Sequence, residues 1–236
     1  MSVGFEPRPV NDDFMRAGFF GGTFDPPHRG HLAVARAAAS EFSLDTIYFA
    51  PVASQPLKPG GTHASFADRL AMVELLCAAE AETSGDSRLI ASKLDAPRSD
   101  GQANFTIDTL GRLRTALERE SKKLDGVELF VITGADSFLD LRRWREPDAL
   151  LQAAQWIVVS RPGFSLKDLA PLALTPEQRV CVHLLEDVHE AVSASQVRDC
   201  LQAGLDCASL MTPEVYSYIR EHKLYQPRSA HREYQV

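Results

Sequence analysis

The chain has 236 residues, 44% of them hydrophobic and 24% charged, with a formal net charge of −7. That size suits one α/β domain, and the acidic balance excludes the broad basic footprint of a nucleic-acid binder while leaving room for small anionic ligands. No apolar run reaches the roughly 18 residues of a membrane span.

The first fourteen residues carry acids and prolines and lack the apolar stretch of a secretory leader. They read as a poorly ordered extension ahead of Met15, itself a candidate start, with a single domain over 15–225 and a polar tail over 226–236. Ala17–Gly21 predicts a short buried strand and Leu32–Phe42 an Ala-rich helix that opens near Arg29. Thr46–Pro51 predicts a second strand, Gln55–His63 a Pro/Gly loop, and Ser65–Ala79 a helix capped by Ser65. Leu89–Ser92 reads as a short strand. Thr106–Glu120 reads as a helix, with Ile107, Leu110, Leu113 and Leu117 on one face. Val127–Thr133, Gln155–Ser160 and Val180–Leu185 are further strands, and Ser195–Ala203 and Pro213–His222 the last helices. Strands and helices alternate, and the strand runs are apolar on both sides. This predicts a doubly wound, Rossmann-like parallel sheet with helices on both faces. Ligands of such sheets bind beyond the carboxyl ends of the strands. The cysteines Cys77, Cys181, Cys200 and Cys207 show no CxxC pair, which predicts reduced thiols in a cytoplasmic protein.

The densest chemistry is GFFGGTFDPPHRGHL, residues 18–32. An apolar strand runs into Gly21-Gly22, then a polar turn, then a helix. Glycines there allow close backbone approach, and a helix N-terminus favours phosphate. His28 and His31 are three apart on the first helical turn and can face one anion. There is no GxxxxGK[ST] and no GxGxxG. Zinc would need a third ligand, and only Asp25 is near at hand, so no metal site is expected. Histidines that merely cap or pack are the plainer alternative.

GGTFDPPHRGHL resembles the (H/T)xGH nucleotidyltransferases, and most closely the bacterial nicotinate-nucleotide adenylyltransferases, with further matches in order from about residue 17 to 225. The resemblance implies adenylyl transfer from ATP, accompanied by Mg²⁺, to nicotinate mononucleotide, giving deamido-NAD and pyrophosphate. It implies catalytic roles for His28, His31 and Arg198, and ATP contacts from Gly21, Gly22, Thr23 and Phe24. VSASQVR, residues 192–198, is similar to the family's ISSTxIR and offers Ser193 and Ser195 to phosphates, with Ala194 in place of a usual Ser and Ser195 of a usual Thr. GADSFLDLRRW, 134–144, matches the GADSxxxLxxW pattern and implies Gly134 and Asp136 beside the ATP and Trp144 stacked on the pyridine; core packing is the alternative for Trp144. NFTIDTL, 104–110, is similar to SYTxxTL. It implies acceptor contacts from Phe105, which replaces a usual Tyr, and from Thr106 at a helix start suited to a carboxylate. Arg145 either adds charge there or belongs to a basic surface. Lys58 either reaches the phosphates or is a solvated loop lysine, and Arg161 opens an RPG turn matching the adenine side. Arg69 reads as structural. The alternatives are a relative with another phosphate acceptor (nicotinamide mononucleotide or pantetheine phosphate) and a non-catalytic nucleotide-binding protein. No nucleic-acid or membrane partner is expected, and a homo-oligomer is compatible with the sequence.

Overall fold

The computed structural model describes residues 14–53, 61–120, 126–160, 165–186, 188 and 192–226. Among these, the apolar runs form a six-stranded parallel sheet. Its strands are β1 Phe14–Gly22, β2 Thr46–Pro51, β3 Leu89–Ala91, β4 Gly126–Gly134, β5 Gln155–Val159 and β6 Val182–Leu185. They lie in the order β3-β2-β1-β4-β5-β6. The order reverses between β1 and β4, where doubly wound sheets open a crevice. Gly22 is in register with Pro51 and Phe20 with Ile132, so the three strands end on one rim.

The helices are α1 Arg29–Glu41, α2 Phe66–Ser84, α3 Thr106–Glu120, α4 Ala135–Leu139, α5 Pro147–Ala153, α6 Pro176–Val180, α7 Ala194–Gln202 and α8 Pro213–Glu221. Alternate strand residues feed two cores, because side chains point to opposite faces with period two. Phe20, Ile47, Phe49, Phe130, Ile132 and Ile157 pack on one face with α1, α2, α7 and α8. Phe19, Leu129, Val131, Trp156 and Val158 pack on the other with α3, α4 and α5. The stripe Leu110, Leu113, Leu117 is buried as its spacing predicts, and each leucine contributes about 2 kcal/mol of burial.

Helix α2 begins at the expected cap, where the Ser65 hydroxyl accepts from Asp68 N–H. It continues past the predicted end to Ser84 and stops at Gly85, whose φ of 71° closes it as a left-handed C-cap. β6 starts two residues later than expected. Thr175 caps α6 and draws Val180 into that helix. α4 and α5 went unread because five and seven residues hold too little of a helical period.

One expectation is overturned. Cys200 and Cys207 form a disulfide across seven residues, joining α7 to the turn ahead of α8, while Cys77 and Cys181 are free thiols. The pairing carries no CxxC signature, because the turn after Gln202 folds the second cysteine back. No helix is long and apolar enough to cross a membrane among the described residues.

Candidate active site

β1 delivers its glycines to the rim, and the chain turns through Thr23–Pro27 into α1. Phe24 adopts φ 49°, unusual for a bulky residue. Its ring is 2% exposed, packed on Phe20, Phe49 and His31, and that burial holds the turn. His28 is the N-cap residue of α1, and its backbone N–H donates to His31 Nδ1 at 3.1 Å. With Nδ1 accepting, a neutral His31 carries its proton on Nε2. The two rings lie 3.8 Å apart. Burial pushes His28 down to about 4, and burial with the neighbouring His28 holds His31 well below the usual histidine range. His28 Nδ1 is buried without a hydrogen-bond partner. Gly30, inside the His-x-Gly-His string, is needed for close approach: a Cβ would stand 2.9 Å from the Val192 carbonyl oxygen and 3.0 Å from the His28 ring.

Four side chains hold this loop. Arg69, wholly buried on α2, donates to the Thr23 carbonyl at 2.7 Å and the Val52 carbonyl at 2.8 Å, tying the ends of β1 and β2 together. Arg198, on α7, donates to the Asp25 carbonyl at 2.7 Å and to Ser195 Oγ at 3.0 Å. The buried Asp25 carboxylate accepts from His63 N–H at 2.7 Å, Ala64 N–H at 3.0 Å and the Tyr225 hydroxyl at 2.7 Å. Burial, with Asp25 adding to it, pushes the Tyr225 phenol far above its ordinary range, so it remains a donor.

Beside the loop is a cavity of about 280 Å³. Gly21 and Gly22 form one wall; a Cβ there would lie 2.9 Å from the Phe19 ring or 3.1 Å from the Phe24 ring. Phe105 and Thr106, at the start of α3, and Trp144 and Arg145 form others. Trp144 also meets Trp156 edge-on at 6.0 Å, so packing and cavity lining are both true of it. The Arg145 guanidinium sits 4.5 Å over the Phe105 ring. Asp95, Asp140 and Arg143 supply the remaining charge, with Arg143 paired to Asp140 at 3.1 Å.

A model of the cytidylyltransferase-like family matches residues 19–200. A probable nicotinate-nucleotide adenylyltransferase of Solibacter usitatus is 36% identical over 212 residues, 89% of this chain and 100% of the relative. The chain belongs to the nicotinate-nucleotide adenylyltransferase family. Another adenylyltransferase of that description, from Tropheryma whipplei, is 34% identical over 87% of this chain and 97% of its own. A solved structure, the Plasmodium falciparum nicotinic acid mononucleotide adenylyltransferase complexed with NaAD, shares the fold at a TM-score of 0.65 and 18% identity, covering 89% of this chain and 97% of that one.

The adenylyltransferase motif residues fall into two groups. Gly21, Gly22, Thr23, Phe24, His28, His31, Ser195 and Arg198 gather on or against the β1–α1 loop. Phe105, Thr106, Trp144 and Arg145 line the cavity, which Gly21 and Gly22 share. Ser193 caps α7, accepting from Gln196 N–H, while its own N–H donates to the Gln196 side chain at 2.8 Å. Gly134 ends β4 and Asp136 lies in the first turn of α4, both outside the cavity lining, where Thr133 and Ser137 are found instead. Lys58 and Arg161 lie outside the described residues. The sequence motifs assign no role to Asp95, Thr109 or Tyr225. Thr109 lies within the 104–110 motif, yet nothing local marks a hydroxyl that bonds 14 residues away, as Thr109 does, or 200 away, as Tyr225 does. Among the described residues, no cluster of three or more His, Cys, Asp or Glu is placed to hold a metal ion.

Proposed function

We propose that the chain transfers the adenylyl group of ATP to nicotinate mononucleotide, the reaction that the names of its relatives describe. An oxygen of the acceptor phosphate forms a bond to the α-phosphorus of ATP. The α,β-bridging P–O bond breaks, and pyrophosphate leaves with that electron pair. The acceptor phosphate is largely dianionic at neutral pH, so no general base is required. What is required is to bring two anions together and to stabilise charge on the departing phosphates.

The β1–α1 loop suits that task. His31 offers an Nε2 proton, the α1 N-terminus its free N–H groups, and Arg198 a fixed guanidinium. An arriving triphosphate raises the proton affinity of both histidines, opposing the burial that keeps them neutral. Mg²⁺ comes with ATP as part of the substrate and supplies further positive charge on its phosphates. Ser195, Lys58, Arg161, Gly134, Asp136 and Ser193 are proposed for the ATP side. On the acceptor side, Trp144 and Phe105 take the flat pyridine, and the N-terminus of α3 at Thr106 with Arg145 takes its carboxylate. The reaction belongs to NAD biosynthesis and to the cytoplasm.

The observation that carries this reading is that Gly21 and Gly22 serve both sides, leading into the histidine loop and lining the aromatic cavity. Two substrates can therefore meet across one bare stretch of backbone. Purified protein with Mg²⁺ and ATP is expected to release pyrophosphate with nicotinate mononucleotide. It should release less with nicotinamide mononucleotide and least with pantetheine phosphate, which has no ring for the aromatic walls. No release with either pyridine mononucleotide overturns the reading.

A further inference from the structure

Asp95 lies on the connection between β3 and α3, 6% exposed, and lines the cavity. Its backbone carbonyl accepts from Ala53 N–H at 3.0 Å, and its Oδ1 accepts from the Thr109 hydroxyl at 2.6 Å. Arg112 supports the same corner, donating to Thr109 Oγ1 at 3.0 Å and to the Leu94 carbonyl at 3.1 Å. Among the described residues, Oδ2 has no hydrogen-bond partner. Asp95 itself is one of the residues that line the cavity. Burial raises the proton affinity of this carboxyl despite Thr109 and Arg112. A buried carboxylate beside a cavity, with one oxygen that no described donor meets, calls for a donor from whatever fills the cavity.

The chemistry of the acceptor narrows the choice. The pyridine carboxylate, the quaternary ring nitrogen and a dianionic phosphate carry no hydrogen-bond donor. The only donors on nicotinate mononucleotide are its two ribose hydroxyls. The other cavity carboxylate, Asp140, already pairs with Arg143.

We infer that Asp95 Oδ2 accepts a hydrogen bond from a ribose hydroxyl of the acceptor mononucleotide, with Thr109 as the positioning residue that fixes the carboxylate plane. The inference rests on the acceptor reading above and adds a specificity contact that the motifs do not assign. It makes the cavity selective for a ribonucleotide.

Steady-state kinetics of Asp95→Asn with nicotinate mononucleotide and its 2′-deoxy and 3′-deoxy analogues test it. For the variant, the acceptor KM should rise about tenfold while the KM for ATP and kcat stay within about twofold. With the analogue lacking the bound hydroxyl, wild type and variant should agree within about twofold. An unchanged KM in the variant overturns the inference. So does an equal loss for the ribose and both deoxyribose acceptors, or a shift confined to the ratio of nicotinate to nicotinamide acceptors. Should Asp95→Asn fail to fold, the wild-type protein alone decides: deoxy acceptors as good as the parent refute the contact. Wild-type turnover of nicotinate mononucleotide is the control, because its absence removes the acceptor reading and not merely this contact.

Discussion

The β1–α1 loop and the aromatic cavity share Gly21 and Gly22, yet one is tied down by the protein's own groups and the other is open to a ligand. In the loop, the Thr23 and Asp25 carbonyls each receive an arginine, and the Asp25 carboxylate receives two backbone N–H groups and a phenol. In the cavity, aromatic walls stand beside a carboxylate oxygen that no group among the described residues meets. Charge stabilisation needs donors that do not reorganise during the reaction, and a loop tied down by two arginines, two backbone N–H groups and a phenol provides that. Selection among acceptors needs polar groups that only the right ligand satisfies, and an incomplete cavity provides that.

If this division is correct, substitutions on the two sides separate kinetically. The largest effect is expected at His31. His31→Ala should lower kcat by about a thousandfold with the acceptor KM nearly unchanged and thermal unfolding little altered. A KM effect of comparable size, measured by initial rates, breaks the comparison. An intermediate effect concerns acid stability. His28 has a folded pKa of about 4, below the unfolded value of 6.5. The unfolded chain therefore binds the proton first. Its contribution is fully present above pH 6.5 and is lost as pH falls from 6.5 to 4, on the order of 3 kcal/mol. Urea titrations across that range should show a flatter acid limb in His28→Asn than in wild type, and equal slopes contradict the buried neutral imidazole. The smallest effect is expected at Trp144. Trp144→Ala should raise the acceptor KM about tenfold and leave the KM for ATP within about twofold. A matching rise for ATP would merge the two sides.

The same contrast governs what the sequence discloses. The sheet was legible because its strands are apolar on both faces, and α3 because four apolar residues hold a helical period. The β1–α1 loop was legible because Gly21 to His31 is one unbroken string whose local geometry forms the turn. The cavity was legible only in pieces. Phe105 and Trp144 sit in recognisable motifs, whereas Asp95 matters through burial and through a hydroxyl fourteen residues away, neither of which spacing displays. Arg69 read as structural and is so, but its two carbonyl partners come from separate strands. The disulfide escaped for a related reason, since only the turn between α7 and α8 brings Cys207 back to Cys200.

The bond from Tyr225 to Asp25 gives the molecule an order of assembly. The histidine loop is synthesised early, but the last donor to its buried carboxylate leaves the ribosome 200 residues later. Until then the Asp25 carboxylate has only the His63 and Ala64 N–H groups, and the loop must tolerate water where the phenol will sit. Completion of the β1–α1 loop is thus tied to the far end of translation, so a chain interrupted within α8 would carry every candidate site residue and still hold an unfinished loop.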